Sequence, residues 1–302
     1  MITLEEGLYE QNEEVKELNH INCPVCTSSD FIFLFDFNED YSISKCQQCH
    51  SHFCSEMLTT VELENFYSAD YFEGERGYAN YFSEVDQRKK TFERKLKILA
   101  PMMAGIDATL EVGCANGLFV ELARVKGYNI FGIDISTDSI HRSSSEVRKY
   151  LSASSIMEYK SDQLFKCIIL FDTVEHLTSP RDAIAHLRGL LLDEGTIFIE
   201  TPKLNSLLSI IMKRRWPYYR PPEHLIYFRT DSLDHMMGDL GFLKLKGGNS
   251  VKTLTLQYIY DEIKRTNPKI AFLLNFVLPF VGKMRLTLPT GSFWAIYQKR
   301  KR

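Results

Sequence analysis

The sequence predicts an α/β fold, built on a doubly wound and mostly parallel sheet, with a small metal-bound module at the N-terminus. Two observations predict it. Short apolar runs that suit buried strands alternate with stretches of helical periodicity from about residue 101 onward. Two Cys-x-x-Cys pairs lie upstream, within the first 50 residues.

The stretch from Thr109 to Ser136 is the most informative part of the chain, and reads TLEVGCANGLFVELARVKGYNIFGIDIS. Its periodicity predicts a strand, a glycine turn, a helix and a second strand. Gly113 and Gly117 bracket the turn, where a ligand can approach the N–H groups that open the helix. Asp134 ends the second strand, 21 residues after Gly113. An acid at that distance typically accepts hydrogen bonds from ribose hydroxyls.

The spacing Glu111-x-Gly113-x-x-x-Gly117 resembles motif I of the class I S-adenosylmethionine-dependent methyltransferases, with Ala115 in place of the middle glycine. Leu118 occupies the position where the dinucleotide fingerprint requires its third glycine, which disfavours NAD. The resemblance implies a Rossmann-like sheet of seven strands, the last antiparallel. It also implies a cofactor site formed by Glu111, Gly113, Cys114, Ala115, Asn116, Gly117, Asp134, Ile135, Phe171 and Asp172.

Composition and net charge bear on the kind of partner and on the cellular compartment. The 302 residues carry a formal net charge of −3 with mixed signs, which does not indicate a general nucleic-acid binder. No signal peptide is recognisable, and seven cysteines in such a chain indicate a reducing compartment, so we expect a cytoplasmic protein.

The four cysteines Cys23, Cys26, Cys46 and Cys49 form two knuckles separated by 19 residues, a spacing that suits structural zinc on four thiolates. Alternating phenylalanines between the knuckles predict a strand of a zinc ribbon. Such a short module needs its metal to fold. Nearby residues offer substitute ligands, although the two knuckles already complete a site: His50, His52 and Cys54.

The predicted organisation has four parts: an acidic lead over 1–20, the zinc ribbon over 21–55, an aromatic linker and helix over 56–100, and the methyltransferase domain over 101–302. A helical insertion is expected at about 254–288. Its apolar stretch 270–281 is too short to span a bilayer and is flanked by cations. We expect either peripheral membrane contact there or a buried helical cap over the sheet edge.

The remaining elements follow the same alternation. The predicted helices cover 138–151 and 180–192, and the predicted strands cover 156–159, 167–171, 196–200, 243–246 and 292–297. In the resembling methyltransferases an acid that contacts adenine often follows the third strand. Glu158 and Asp162 both fit that position, and the sequence does not choose between them.

Candidate catalytic residues follow the fourth and fifth predicted strands. His224 lies in the stretch PPEHLIYF, which resembles sugar C-methyltransferases, where a Glu-His pair lies in the substrate pocket and the histidine is the proposed base. Glu223 then orients the imidazole or holds a substrate hydroxyl. His176 is the second candidate base. In ubiquinone-pathway relatives an acid-x-x-Glu-His group binds a divalent metal, and Asp172, Glu175 and His176 match its spacing.

The sequence therefore predicts S-adenosylmethionine-dependent O- or C-methylation of a small molecule, such as a sugar or another biosynthetic intermediate. Two alternatives remain. One is an RNA methyltransferase that grips nucleic acid with the ribbon, although Lys45 is the only Lys or Arg between Cys23 and Cys54. The other is a non-catalytic binding protein that retains the cofactor. The substrate, the acceptor atom and the oligomeric state are not predicted.

Overall fold

The computed structural model of the protein describes residues 22–59, 62, 66–67, 85–266, 282 and 284–301. Three predicted segments lie wholly or mostly outside these residues. They are the acidic lead, most of the aromatic linker, and the apolar stretch 270–281.

The described strands and helices alternate through most of the chain. The strands are β1 (Phe31–Asp36), β2 (Ser42–Cys46), β3 (His52–Cys54), β4 (Ala108–Val112), β5 (Ile130–Asp134), β6 (Leu151–Ala153), β7 (Phe165–Phe171), β8 (Leu191–Pro202), β9 (Ile226–Tyr227), β10 (Phe242–Thr255) and β11 (Arg285–Lys299). The helices are α1 (Val85–Met103), α2 (Leu118–Val125), α3 (Thr137–His141), α4 (Ser145–Arg148), α5 (Pro180–Gly189), α6 (Leu207–Met212), α7 (Thr230–Asp239) and α8 (Leu256–Thr266), with 3-10 turns over Val174–His176 and Lys213–Arg215.

The larger sheet contains seven strands in the order β10-β11-β8-β7-β4-β5-β6. The five strands from β8 to β6 run parallel. The last strand, β11, runs antiparallel to both of its neighbours, β10 and β8. The predicted seven-stranded sheet with an antiparallel last strand is therefore confirmed.

Two central strands of this sheet are buried on both faces. Every residue of β4 is buried, and Cys167–Leu170 in β7 have no exposed surface. Continuous apolar strands of this kind are typical of parallel sheets that helices cover on both sides. The carboxyl ends of β4, β5 and β7 consequently form one edge, where open α/β sheets bind ligands.

Strand β8 contains the turn that the sequence predicts at 193–195. Leu191 pairs with Phe165 and Thr196 with Cys167, so four residues on β8 stand against one on β7. A Cβ atom on Gly195 would lie 2.8 Å from the Leu192 carbonyl oxygen, which explains the glycine. The preceding helix ends earlier than predicted, at Gly189.

The third parallel strand lies earlier than predicted. It covers Leu151–Ala153, whereas the predicted range 156–159 contains a turn over 156–158. The single helix predicted over 138–151 is two short helices, because Ser144 adopts an extended backbone (ψ 150°) and precedes α4 as its N-cap residue. The serine run 143–145 favours such a helix start over a continuous helix.

The last two strands are much longer than predicted. Strands β10 and β11 pair from Phe242–Lys299 out to Thr255–Arg285, so the insertion begins as a β-ribbon before α8. The Gly247-Gly248 pair interrupts the strand pattern in the sequence. A Cβ atom on Gly248 would lie 2.9 Å from the Trp294 ring, so a glycine lets the indole lie across the strand.

The N-terminal ribbon shares its sheet with the larger domain. Its antiparallel order is β1-β2-β3-β9, and the fourth strand, Ile226–Tyr227, comes from the segment that follows His224. Phe53 and Ile43 of the ribbon belong to the same buried cluster as Leu225 and Phe228. The module predicted over 21–55 is therefore packed on the loop that carries the candidate base.

A membrane-crossing helix is not present within the described ranges, since none of their helices combines sufficient length with sufficient apolar character.

Candidate cofactor and acceptor site

The turn between β4 and α2 folds tightly because two glycines remove side chains at points of close approach. Gly113 (φ 73°) and Gly117 (φ 74°) both adopt left-handed backbone conformations. A Cβ atom on Gly113 would lie 2.6 Å from Thr173 Oγ1, and one on Gly117 would lie 2.6 Å from a Leu151 methyl carbon. Ala115 replaces the middle glycine yet also has positive φ, at 49°.

Asp134 connects this turn to the loop that follows β5 through two hydrogen bonds. Its carboxylate accepts hydrogen bonds from the backbone N–H of Ala115 at 2.7 Å and of Ser136 at 2.9 Å. Burial raises the pKa of Asp134, and the two N–H donors oppose that rise. Each carboxylate oxygen has a second lone pair, so the side chain can accept further hydrogen bonds.

Two buried side-chain oxygens near this turn have no hydrogen-bond partner among the described residues. They are Oε2 of Glu111 and Oδ1 of Asn116. Burial raises the pKa of Glu111 well above its usual value, against the lowering effect of Arg88 and Lys95. Buried acceptors of this kind are costly unless a ligand supplies the donor.

A cavity of ≈ 390 Å³ opens beside the ends of β5 and β6. Ile135 and Glu158 both line it, whereas Asp162 is not among its lining residues. Its other walls are formed by Tyr67, Ser136, Thr137, Asp138, Ala153, Ser154 and Ser155. Of the two acids that the sequence offers for adenine contact, Glu158 is therefore the one at the cavity.

The predicted site residues Cys114 and Phe171 occupy packed positions. The sulfur of Cys114 fills the space beside Gly132, where a Cβ atom would lie 2.8 Å away. Phe171, 8% exposed, packs edge-on against Phe119. The ammonium group of Lys95 lies 4.4 Å from the centre of the Phe171 ring.

Asp172 follows β7 and forms an ion pair that the sequence analysis did not find. Its Oδ2 accepts a hydrogen bond from Lys252 Nζ at 2.7 Å, while Oδ1 is buried with no partner among the described residues. Burial acts to raise the pKa of Asp172, but the charges of Lys252 and Lys95 and the hydrogen bond from Lys252 together outweigh it, and the pKa falls to about 2. The predicted strand ended at residue 246, so the sequence did not indicate that the same strand continues to Lys252.

The two candidate histidines lie together, with ring centroids 4.8 Å apart. His176 Nδ1 lies 2.6 Å from the Glu223 carbonyl oxygen, and His224 Nδ1 lies 2.9 Å from the Tyr218 carbonyl oxygen. Because a carbonyl oxygen only accepts, both Nδ1 atoms carry hydrogen and both Nε2 atoms carry the lone pair. Tyr67 Oη also lies 2.8 Å from His176 Nδ1.

Burial keeps both histidines neutral. It lowers the pKa of His176 to about 4 and that of His224 well below its usual value. Glu175 is also buried, and burial together with the nearby charge of Asp172 raises its pKa well above the usual value. Glu175 Oε2 accepts a hydrogen bond from Thr201 at 2.9 Å. Glu223 Oε1 lies 3.5 Å from His224 Nε2.

Two groups of metal-ligating side chains are present among the described residues. The first contains Glu175, His176 and His224, whose ligand atoms lie within 4.8 Å of one another. Asp172, which the sequence analysis grouped with Glu175 and His176, lies outside this group and is paired with Lys252. The second group contains the four ribbon cysteines.

The four cysteine sulfurs form a compact cluster of free thiols. Cys23 Sγ lies 3.6 Å from Cys49 Sγ, and Cys26 Sγ lies 3.4 Å from Cys46 Sγ. Tetrahedral zinc with Zn–S bonds of about 2.3 Å separates its sulfurs by about 3.8 Å, so the cluster has suitable dimensions.

The two knuckles have the same backbone geometry. Thr27 and His50, each directly after a second cysteine, have φ of 65° and 57°. Each donates its backbone N–H to the carbonyl oxygen of the first cysteine of its knuckle, at 2.8 and 3.1 Å. His52 instead contacts the Tyr219 hydroxyl, and Cys54 is buried near the His224 carbonyl, so neither joins the cluster.

A family model described as a methyltransferase domain matches residues 81–246, more than half of the chain. The ubiquinone biosynthesis O-methyltransferase of Rickettsia felis is 30% identical over 97 residues, covering 30% of this chain and 40% of that protein. The same-named protein of Rickettsia canadensis is 28% identical over 151 residues, covering 46% of this chain and 64% of that protein. The chain thus aligns with less than two thirds of either relative's length.

Among solved structures, magnesium protoporphyrin IX methyltransferase from Synechocystis PCC 6803 superposes with a TM-score of 0.52 at 12% identity. The superposition covers 80% of this chain and 100% of that one. At this low sequence identity, the superposition shows that the two proteins share a fold and nothing more. Because the family model matches more than half of the chain, the chain belongs to the methyltransferase domain family.

Proposed function

We propose that this protein transfers a methyl group from S-adenosylmethionine to a small organic acceptor. The observation that carries the proposal is the turn from Gly113 to Gly117. It lies beside the Asp134 carboxylate and two oxygens, of Glu111 and Asn116, that have no hydrogen-bond partner in the part of the chain that the structure describes.

The residues at the turn match the donors of this cofactor. Glu111 and Asn116 offer buried acceptors for its ammonium group, and Asp134 retains lone pairs for the ribose hydroxyls. The cavity lined by Ile135 and Glu158 would take the adenine. When bound, the cofactor supplies an electrophilic methyl group on a sulfonium. Positioning of the acceptor in a dry pocket then provides most of the rate acceleration.

The proposed base is His224, with Glu223 and His176 as its supporting residues. Hydrogen bonding of Nδ1 to the Tyr218 carbonyl leaves the Nε2 lone pair available for an acceptor proton. Glu223 Oε1 lies 3.5 Å from that nitrogen and would stabilise the imidazolium that forms. His176 packs edge-on against the His224 ring and limits its rotation.

We also propose that the four ribbon cysteines hold structural zinc. The support is the pair of equivalent knuckles and sulfur separations of 3.4 and 3.6 Å. A closed set of four thiolates leaves no open coordination position, which is typical of structural sites.

A small acceptor is favoured over RNA by the surface of the ribbon. Its outer strand and the following turn expose apolar side chains, with Ile32 43%, Phe33 58% and Phe37 39% exposed, where binding to phosphates would require cations. The two curated relatives are named for ubiquinone biosynthesis, which also favours a small organic acceptor.

The test is a turnover assay. The full chain is incubated with S-adenosylmethionine and separate panels of phenols, sugar nucleotides and transcribed RNA, and the demethylated cofactor is measured by mass spectrometry. We expect acceptor-dependent product with a small molecule and at least about a tenfold loss in Asp134→Ala. Product formed only with RNA, or cofactor binding without turnover on any acceptor, would overturn the proposal.

A further inference from the structure

Helix α6 is oriented with its apolar residues outward. Its sequence is LLSIIM, and the exposed fractions are 74% for Leu207, 61% for Ile210 and 69% for Ile211. Leu208 is also 38% exposed, whereas Ser209 is buried. A helix on a water-soluble surface normally places its apolar residues against the core and its polar residues outside.

Serines satisfy the polar groups on the inner side of α6. Ser206 accepts a hydrogen bond from the Ser209 backbone N–H at 3.1 Å, and Ser209 Oγ donates to the carbonyl oxygens of Ser206 and Leu204. The inner face of the helix is therefore held by serines. These bonds all lie within residues 204–209, and the Leu204 backbone N–H, which donates to the Phe228 carbonyl oxygen at 2.8 Å, connects the start of the helix to the rest of the domain.

Cations follow the exposed apolar face directly. Lys213, Arg214 and Arg215 form a 3-10 turn, and all three are exposed. The segment 203–222 contains five Lys or Arg residues and no Asp or Glu. This combination differs from the whole chain, which carries a formal net charge of −3.

We propose that α6 and the Lys213–Arg215 turn form a docking surface for an anionic lipid membrane. The leucines and isoleucines would enter the boundary between headgroups and acyl chains, and the three cations would lie at the lipid phosphates. The charge of the segment selects this occupant, because an apolar protein partner would not require a run of cations beside the helix. The residues of this surface differ from 270–281, for which the sequence predicts either peripheral membrane contact or a buried helical cap.

Docking is independent of methyl transfer, since vesicle binding requires neither cofactor nor acceptor. The two proposals are therefore tested separately. A variant that loses turnover should still bind vesicles, and a variant that no longer binds vesicles should still methylate its acceptor.

The experiment is flotation of the full chain with vesicles of phosphatidylcholine that contain about 30 mol% phosphatidylglycerol, compared with vesicles of phosphatidylcholine alone. We expect binding to the anionic vesicles that falls as salt is raised. Ile210→Glu/Ile211→Glu should reduce the bound fraction by at least about tenfold, and Lys213→Glu/Arg214→Glu by a similar factor.

The matched control is Ile106→Glu/Val125→Glu, because Ile106 is 91% and Val125 82% exposed on other parts of the domain. It should bind vesicles as the parent does. Thermal unfolding checks that each variant folds, and Leu207→Gln is a milder second variant at the same surface. Equal losses in the control, no binding by the parent, or a dimer that Ile210→Glu/Ile211→Glu dissociates without any vesicle binding would overturn the proposal.

Discussion

His176 and His224 are buried against each other, and their protonation is set by what surrounds each ring. Burial lowers the pKa of both, while two backbone carbonyls hold hydrogen on Nδ1. The result is a pair of neutral imidazoles whose Nε2 atoms are proton acceptors at neutral pH. Glu223 Oε1 lies 3.5 Å from the Nε2 atom of His224.

The first prediction concerns His224. Replacing a base lowers turnover and leaves cofactor binding alone, so His224→Asn should reduce kcat by about 100-fold or more with unchanged cofactor affinity. The control is His235→Asn, since the His235 side chain is 63% exposed. Steady-state kinetics with an identified acceptor gives the result. Turnover within a few-fold of the parent would move the role to His176, which His176→Asn then tests.

A second residue-scale prediction concerns His52, which contacts the Tyr219 hydroxyl at 2.6 Å. Burial lowers the pKa of His52 to about 4, below its usual value of 6.5. The unfolded chain therefore takes up this proton first as pH falls, and the stability contributed by neutral His52 is lost between pH 6.5 and 4.

Denaturant unfolding of the parent and His52→Asn at pH 7.5 and 5.5 measures this effect. The parent should lose about 1 kcal/mol more than the variant between the two pH values. An equal loss in both proteins would show that His52 is protonated in the folded state at pH 5.5.

Site residues that belong to a local sequence motif were predictable from the sequence. Site residues that reach the site through long-range strand pairing were not. The four cysteines form one cluster, and Asp134 contacts the Ala115 N–H across the turn. Lys252 pairs with Asp172 from 80 positions away. Its location depends on the register of β10 with β11, which no local pattern specifies.

At the scale of elements, the ribbon supports the candidate acceptor loop. Strand β3 pairs with β9, and the Cys54 backbone N–H donates to the Leu225 carbonyl oxygen at 2.8 Å. Leu225 in turn donates its N–H to the Glu175 carbonyl oxygen at 2.9 Å. These two successive backbone hydrogen bonds connect the ribbon to the loop of His224 and to the turn that contains Glu175.

The element-scale prediction concerns zinc. Metal analysis should find one zinc per chain, and Cys46→Ser should lose it and unfold the ribbon. Because the ribbon holds the loop at Leu225, turnover should fall by about tenfold or more, while cofactor affinity stays nearly unchanged. Cys167→Ser, at a cysteine outside the ribbon, should retain its zinc. A zinc-free protein with an intact ribbon would contradict the assignment.

The strands around the glycine turn were predictable because a parallel sheet gives them continuous apolar runs. Strand β6 was not, since it has three residues and only Leu151 is buried. The ends of β10 and β11 were also missed. There the buried positions are polar, since Thr253 and Thr255 are buried while Leu286 and Leu288 are 37% and 39% exposed, so no hydrophobic alternation marks these strand ends.

Over the whole molecule, the order of the strands brings the two halves of the site together. Strands β4 and β5 supply the cofactor turn and Asp134, and β7 and β8 lead into Asp172 and the loop of His224. All four strands run parallel, so these groups gather at one edge of the sheet. We infer that this edge binds S-adenosylmethionine.

Titration calorimetry with the purified full chain tests that claim most directly. S-adenosylmethionine or its demethylated product should bind with a Kd in the micromolar range, roughly −8 kcal/mol. Asp134→Ala should weaken binding at least about tenfold through loss of charged hydrogen bonds, and the exposed-site control Asp107→Ala should match the parent. No heat with either ligand, or tight binding of NAD instead, would contradict the account.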